Sequence, residues 1–122
     1  MATPPVLEIL IYALVLSGAP TPISCEVQRD NTVRCSNGTT ASWDERAGYA
    51  TVNAIPVVRN GEGRLVFGNG ITSARNAFGW TQFTNGVAIR RDYLGGNPDA
   101  YYVQPSLFCA EVTPSKAACR QR

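Results

Sequence analysis

The side chains able to do chemistry are few in kind. The chain contains no histidine, so neither a Ser-His nor a Cys-His nucleophile can be assembled. Its nine carboxylates are Glu8, Glu26, Asp30, Asp44, Glu45, Glu62, Asp92, Asp99 and Glu111. Asp30, Asp44, Glu45, Glu62 and Asp92 fall in predicted turns, where Asp in particular has a local structural reason to be. Two carboxylates astride a sugar bond would suit glycoside hydrolysis, but no spacing here sets a pair on one cleft. No glycine cluster follows a strand and opens a helix, so no phosphate loop is expected. Zinc sites want close Cys or His pairs, whereas these cysteines come ten residues apart. No catalytic residue, cofactor or metal is therefore expected.

The four cysteines have a simpler use. Cys25 and Cys35 are equidistant from Asp30. A three-residue hairpin loop, Arg29-Asp30-Asn31, would set them directly opposite on neighbouring strands. Cys109 and Cys119 bracket a short loop containing Pro114. The expected bridges are Cys25–Cys35 and Cys109–Cys119. A long-range pairing that ties the first hairpin to the C-terminal segment is the competing connectivity.

The elements that carry these residues are set by a repeat. Residues 64–79 read RLVFGNGITSARNAFG and residues 80–95 read WTQFTNGVAIRRDYLG. Phe67 falls on Phe83, Asn69-Gly70 on Asn85-Gly86, Arg75 on Arg91 and Gly79 on Gly95. Each copy carries two turn signals, Asn-Gly and then Asn76-x-x-Gly79 or Asp92-x-x-Gly95. About five residues lie between signals, enough for a strand and too few for a helix. The unit is a β-hairpin, and its repetition makes a meander. A two-residue type I′ turn at Asn69-Gly70 would put positive φ on Gly70, and likewise on Gly86. In that register one face holds Leu65, Phe67, Thr72, Ala74, Phe83 and Ala88. The other holds Val66, Ile71, Ser73, Val87, Ile89 and Trp80. Neither face is rich in apolar residues, which predicts a thin core or a sheet curled on itself.

Degenerate copies extend back to Cys25, giving about nine short strands from Cys25 to Arg91. Asp44 to Gly48 is a turn with one extra residue. Pro56 lies in a predicted strand and is expected at an edge or bulge, because proline has no ladder donor. Tyr101-Tyr102-Val103 and Leu107-Phe108-Cys109 are two further strand candidates, broken by Pro105, and would cover one edge. The predicted fold is an all-β antiparallel meander with a period of about 16 residues, curled or barrel-like. Residues 25–112 form this domain and residues 113–122 a polar tail.

Residues 1–24 differ in kind. Val6 to Leu16 is apolar except for Glu8. Its length fits the core of an export signal and is too short to span a bilayer. No Lys or Arg precedes Arg29, so the positive flank of a signal is missing. The alternative is a retained hydrophobic helix, with Glu8 and Tyr12 on one face. Membrane contact, if any, would run through residues 4–18.

At 122 residues and a formal charge of +2, the chain is one domain with no electrostatic case for nucleic acid. Lys116 is the only lysine and charged residues are 16% of the chain. Such a polar, weakly charged surface and four cysteines point to an extracytoplasmic protein, periplasmic or secreted. The expected role is non-catalytic binding or structural. Trp80, Tyr93, Arg90 and Arg91 are the candidate partner-binding residues. An accessory subunit of a membrane assembly, and an enzyme inhibitor or small hydrolase acting through a loop such as 95–99, are the rival readings.

Arg59-Asn-Gly-Glu-Gly-Arg-Leu-Val-Phe67 resembles the YD (RHS-type) repeat, whose consensus runs Tyr-Asp-x-x-Gly-Arg-Leu. Asn60 takes the place of its aspartate, Gly63 of its glycine and Arg64-Leu65 of its Arg-Leu. The resemblance covers about residues 25–95. It implies a hairpin-built sheet that wraps, shields or scaffolds, without catalytic residues.

Overall fold

The computed structural model describes residues 4–18, 21–92 and 100–122. Among these residues one helix and twelve strands form. The helix, α1 (Val6–Ser17), begins behind Pro4-Pro5 and stops at Gly18. Gly18 adopts φ 69° and donates its N–H to the carbonyls of Leu14 and Val15, a left-handed C-cap that only glycine takes without strain. Nine of its twelve residues are buried, and they occupy every face. A helix that is apolar all round needs an interior to sit in. No helix among the described residues is long and apolar enough to cross a membrane.

The strands supply that interior. They are β1 (Ser24–Val27), β2 (Val33–Cys35), β3 (Thr40–Asp44), β4 (Tyr49–Val52), β5 (Ile55–Arg59), β6 (Leu65–Phe67), β7 (Ser73–Arg75), β8 (Thr81–Phe83), β9 (Ala88–Arg91), β10 (Ala100–Val103), β11 (Leu107–Thr113) and β12 (Lys116–Gln121). All pair antiparallel in one sheet, in the order β6-β5-β4-β3-β2-β1-β12-β11-β10-β9-β8-β7. The meander expected from the repeat is present, with nine strands from β1 to β9. The end strands β6 and β7 meet at one bridge, Val66↔Thr72. Beside it the Ser73 hydroxyl accepts the Leu65 N–H at 2.9 Å. The result is a nearly closed barrel wrapped around α1.

The barrel wall is not uniform. Where α1 packs, against β1, β2, β4, β11 and β12, the inward residues include Cys25, Cys35, Ala50, Cys109 and Ala117, all buried. Short side chains let helix and sheet approach closely. Large rings fill the other side. Tyr12 meets Phe67 edge-on at 6.0 Å, and Phe67 meets Phe83 edge-on at 5.9 Å, the geometry that aromatic quadrupoles favour. Both expected disulfides form, Cys25–Cys35 and Cys109–Cys119. Each joins residues that are direct partners across a hairpin.

The hairpin register differs from the expected one by a residue. Phe67 donates its N–H to the Ile71 carbonyl, and its own carbonyl accepts the Gly70 N–H. Three residues rather than two form the loop. Phe83–Val87 and Cys35–Thr39 repeat the pattern. This turn needs positive φ only at its last loop residue, supplied by Gly70 at 97° and Gly86 at 96°. The asparagine before it instead accepts the N–H two residues on, as Asn69 does from Ile71 and Asn37 from Thr39. A one-residue slip flips each side chain after the turn to the other face. Ser73, Val87 and Ile89 thus join Leu65, Phe67 and Phe83 in the interior, all buried. Ala74 goes outward and is exposed. The inner face is apolar after all. Asn76–Trp80 is the type I turn with a left-handed glycine that was expected, Gly79 having φ 83°. Asp92-x-x-Gly95 lies partly outside the described residues. Two-residue turn geometry occurs instead at Asn53-Ala54, both with positive φ.

Two further expectations are corrected. Pro56 is at no edge, since β5 pairs with β4 and with β6. Its carbonyl accepts the Gly68 N–H just past the end of β6, so its missing donor faces the turn, where the ladder has ended. Gly68 is required there, because a Cβ would lie 2.8 Å from the Pro56 ring. Residues 116–121, expected as tail, form β12, which pairs with both β1 and β11. This last strand beside the first joins the two halves of the sheet.

Candidate functional site

Two groupings of polar and aromatic side chains stand out, one inside an end of the barrel and one on its outer wall. They part at Arg90 and Arg91. Adjacent strand residues point to opposite faces, so β9 sends one arginine out and the next one in.

The outer grouping is a row across four strands. Tyr102 of β10 is the direct partner of Arg90 on β9 and of Phe108 on β11. Phe108 is in turn the partner of Arg120 on β12. The Arg90 guanidinium lies 5.1 Å from the centre of the Trp80 ring and 5.8 Å from that of Tyr102. Arg122 covers Tyr102 at 4.9 Å, and Arg120 covers Phe108 at 5.0 Å. Tyr102 and Phe108, their rings 5.2 Å apart, thus lie between Arg90 and Arg120, and cation–π contact holds each guanidinium in place. Among the described residues no carboxylate pairs with Arg90, Arg120 or Arg122. Phe78, in the same turn as Trp80, is 82% exposed.

The inner grouping surrounds the first turn of α1. The Glu8 carboxylate accepts from Arg91 at 2.8 Å and from the Tyr101 hydroxyl at 2.9 Å. Arg91 also donates to the Tyr101 oxygen at 2.6 Å. A half-buried charge in an apolar helix gains from such partners, and these tie α1 to β9 and β10. Glu8 also lies in the turn where the helix dipole favours negative charge. Burial, and next the Glu8 charge, push the Tyr101 phenol well above its ordinary pKa. The Tyr12 phenol is pushed up to about 12 by burial first and Glu8 second, with Arg59 opposing. Both phenols stay protonated, and that of Tyr101 donates to Glu8. Above this network opens a cavity of about 550 Å³, whose walls include Arg59, Arg64, Arg75, Ser73 and Thr81.

Trp80 and Arg90, singled out from the sequence, thus stand together on the outer wall. Arg91 is separated from them and points inward. Tyr93 and the loop 95–99 lie outside the described residues. Glu8, Tyr101 and Arg59, and the outer Tyr102, Phe108 and Arg120, were not anticipated as sites. The signal for Glu8 was present: it is the one charge in an apolar run, so it demanded a partner. The turn carboxylates do local work. Asp30 accepts from the Thr32 hydroxyl and N–H, which lowers its pKa. Asp44 accepts two N–H groups of its own turn. Comparison of the chain with protein-family models, with curated proteins and with solved structures gives no match.

Proposed function

We propose that the protein is an extracytoplasmic, non-catalytic binding protein that captures an acidic protein partner on the outer row from Trp80 to Arg120. The observation that carries this reading is the continuous row across β9 to β12 in which Arg90, Arg120 and Arg122, without a carboxylate partner among the described residues, stack on Trp80 and on the adjoining rings of Tyr102 and Phe108. Trp, Tyr and Arg dominate binding hot spots, because they bury much area at low entropy cost and recognise carboxylates. The two cross-strand disulfides support an oxidising compartment. The burial of α1 on all faces supports its retention as core, since cleavage would empty the barrel and an anchoring role would expose it.

Photo-crosslinkers at Gln82, on the row side, and at Ser42, on the far wall, test the reading in material from the native source. The expected result is a crosslinked partner from Gln82 alone, lost in Trp80→Ala and Arg90→Ala variants that keep their melting temperature. Equal crosslinking from both walls, or capture indifferent to both substitutions, removes the row from the binding face. Four free thiols in native material would overturn the extracytoplasmic assignment.

A further inference from the structure

We infer that the open end of the barrel is a second binding site, specific for a small oxyanion-bearing molecule, a phosphate ester or a polycarboxylate. Guanidinium groups from separate elements converge there: Arg59 ends β5, Arg64 precedes β6, Arg75 ends β7 and Arg91 ends β9. Like charges around one cavity repel each other, and an anion between them removes the repulsion. The two carboxylates at the cavity do not suffice. Glu8 is paired with Arg91, and Glu62 stands 3.6 Å from Arg64. Arg59 and Arg75 form no ion pair among the described residues. Arg59 is held in place, because its Nη1 donates to the Gly63 carbonyl at 2.7 Å. Its remaining donors and those of Arg75 offer the planar forks that fit carboxylate and phosphate oxygens.

The rest of the wall sets the ligand's size and character. A volume of about 550 Å³ is that of an ordinary small-molecule site. The Ser73 oxygen is occupied by the Leu65 N–H, which leaves its proton to donate. The Tyr12 and Tyr101 phenols resist ionisation, as described above, so they present no negative charge to repel an anion. Glu8 keeps acceptor capacity at Oε2, which receives only the longer, 3.2 Å contact from Tyr101. A hydroxyl on the ligand body would find its acceptor there. Ile11, Leu65 and Ile89 line the cavity as well, so a compact carbon body fits beneath the anionic group. The site therefore selects a short molecule with its charge at the rim and a hydroxyl toward the helix.

Calorimetric titration of the full chain with inorganic pyrophosphate and, separately, with citrate tests the site. The expected result is one saturable site for at least one of them. The preferred probe tells a phosphate ligand from a carboxylate one. Arg75→Gln is the first variant, because Arg75 is exposed and forms no ion pair among the described residues, so its loss should not disturb the fold. It should weaken binding roughly tenfold or more. Arg59→Gln should do the same and Arg59→Lys less, since lysine keeps the charge without the fork. Arg34→Gln, on the exposed face of β2 and part of neither grouping, should change nothing. Binding no tighter than about 10 mM for both probes, or losses equal in Arg75→Gln and Arg34→Gln, would overturn the inference.

Discussion

The two ends of the barrel are built from the same turn and put it to different uses. At the end where α1 terminates, the turns carry Asn37-Gly38, Asn69-Gly70 and Asn85-Gly86, small polar loops whose side chains serve only the local backbone or the helix. Asn85 Nδ2 reaches the Val15 carbonyl at 2.6 Å, and Gly18 closes the last turn. That end is sealed. At the end where α1 begins, the turns at Asn60–Arg64 and Asn76–Trp80 keep the same backbone hydrogen bonds but carry Glu62, Arg64, Phe78 and Trp80. That end holds the cavity, the Glu8–Arg91–Tyr101 network and one margin of the outer row. A repeat fixes a backbone cheaply, so variation at one set of turns can be spent on binding without disturbing the sheet.

If the sheet truly wraps the helix, the largest loss should come from the wall that touches it. Phe67 is 1% exposed and in edge contact with both Tyr12 and Phe83. Phe67→Ala should cost about 3–5 kcal/mol, read as a shift in the denaturation midpoint. A loss under about 1 kcal/mol would mean that ring and helix are not packed as described. Removing one disulfide, with Cys25 and Cys35 both changed to Ser, should cost roughly 3 kcal/mol for its short loop. Cys109 and Cys119 close a loop of equal sequence separation, so their removal should cost about as much.

The open end should betray itself at alkaline pH. Tyr12 ionises near 12 in the folded chain and near 10 when unfolded. Below about pH 10 both states hold the proton, and the contribution of this group is fully present. Between about pH 10 and 12 the unfolded chain releases it and the folded chain does not, so stability falls as pH rises, by up to roughly 1.4 kcal/mol per pH unit. Tyr101 adds to the same fall, its folded value being raised too. Tyr12→Phe should flatten the decline in that window. An unchanged slope would show that Tyr12 does not titrate from a buried position.

How far this comparison was readable in the sequence depends on the residue. The nine strands from β1 to β9 and both disulfides were legible, because turn signals recur at a fixed spacing and the cysteines flank a hairpin symmetrically. The register was not, because Asn-Gly serves a two-residue loop and a three-residue loop alike. Only the hydrogen bonds of Phe67 with Gly70 and Ile71 distinguish them. The place of α1 was not legible either, since an apolar stretch of this length reads equally as an export signal and as a helix awaiting a barrel. Of the candidate binding residues, the sequence presents the neighbours Arg90 and Arg91 together, although strand alternation sends them to opposite faces. Tyr102, Phe108 and Arg120 come together only through cross-strand pairing, and pairing partners outside one hairpin are set by closure of the whole sheet.

The smallest expected effect isolates what seals the closed end. Asn69 and Asn85 occupy the same position of the same turn, and each accepts the N–H two residues on, Asn69 at 3.2 Å and Asn85 at 3.4 Å. Asn85 alone of the two also donates to the Val15 carbonyl. Replacing either by alanine removes the shared turn contact, so the difference between the two variants reports the bond to the helix. That bond should be worth about 0.5–1.5 kcal/mol. The Val15 carbonyl keeps the Gly18 N–H at 3.1 Å, so it is not stranded when Asn85 is lost, and the value should fall in the lower half of that range. Hydrogen exchange at Gly18 in Asn85→Ala gives a second reading, since loosening of the last helical turn should raise it while Asn69→Ala leaves it unchanged. Equal stability losses and equal exchange in the two variants would show that the closed end is sealed by the turns themselves, and that the helix is held chiefly from its other end by Glu8, Arg91 and Tyr101.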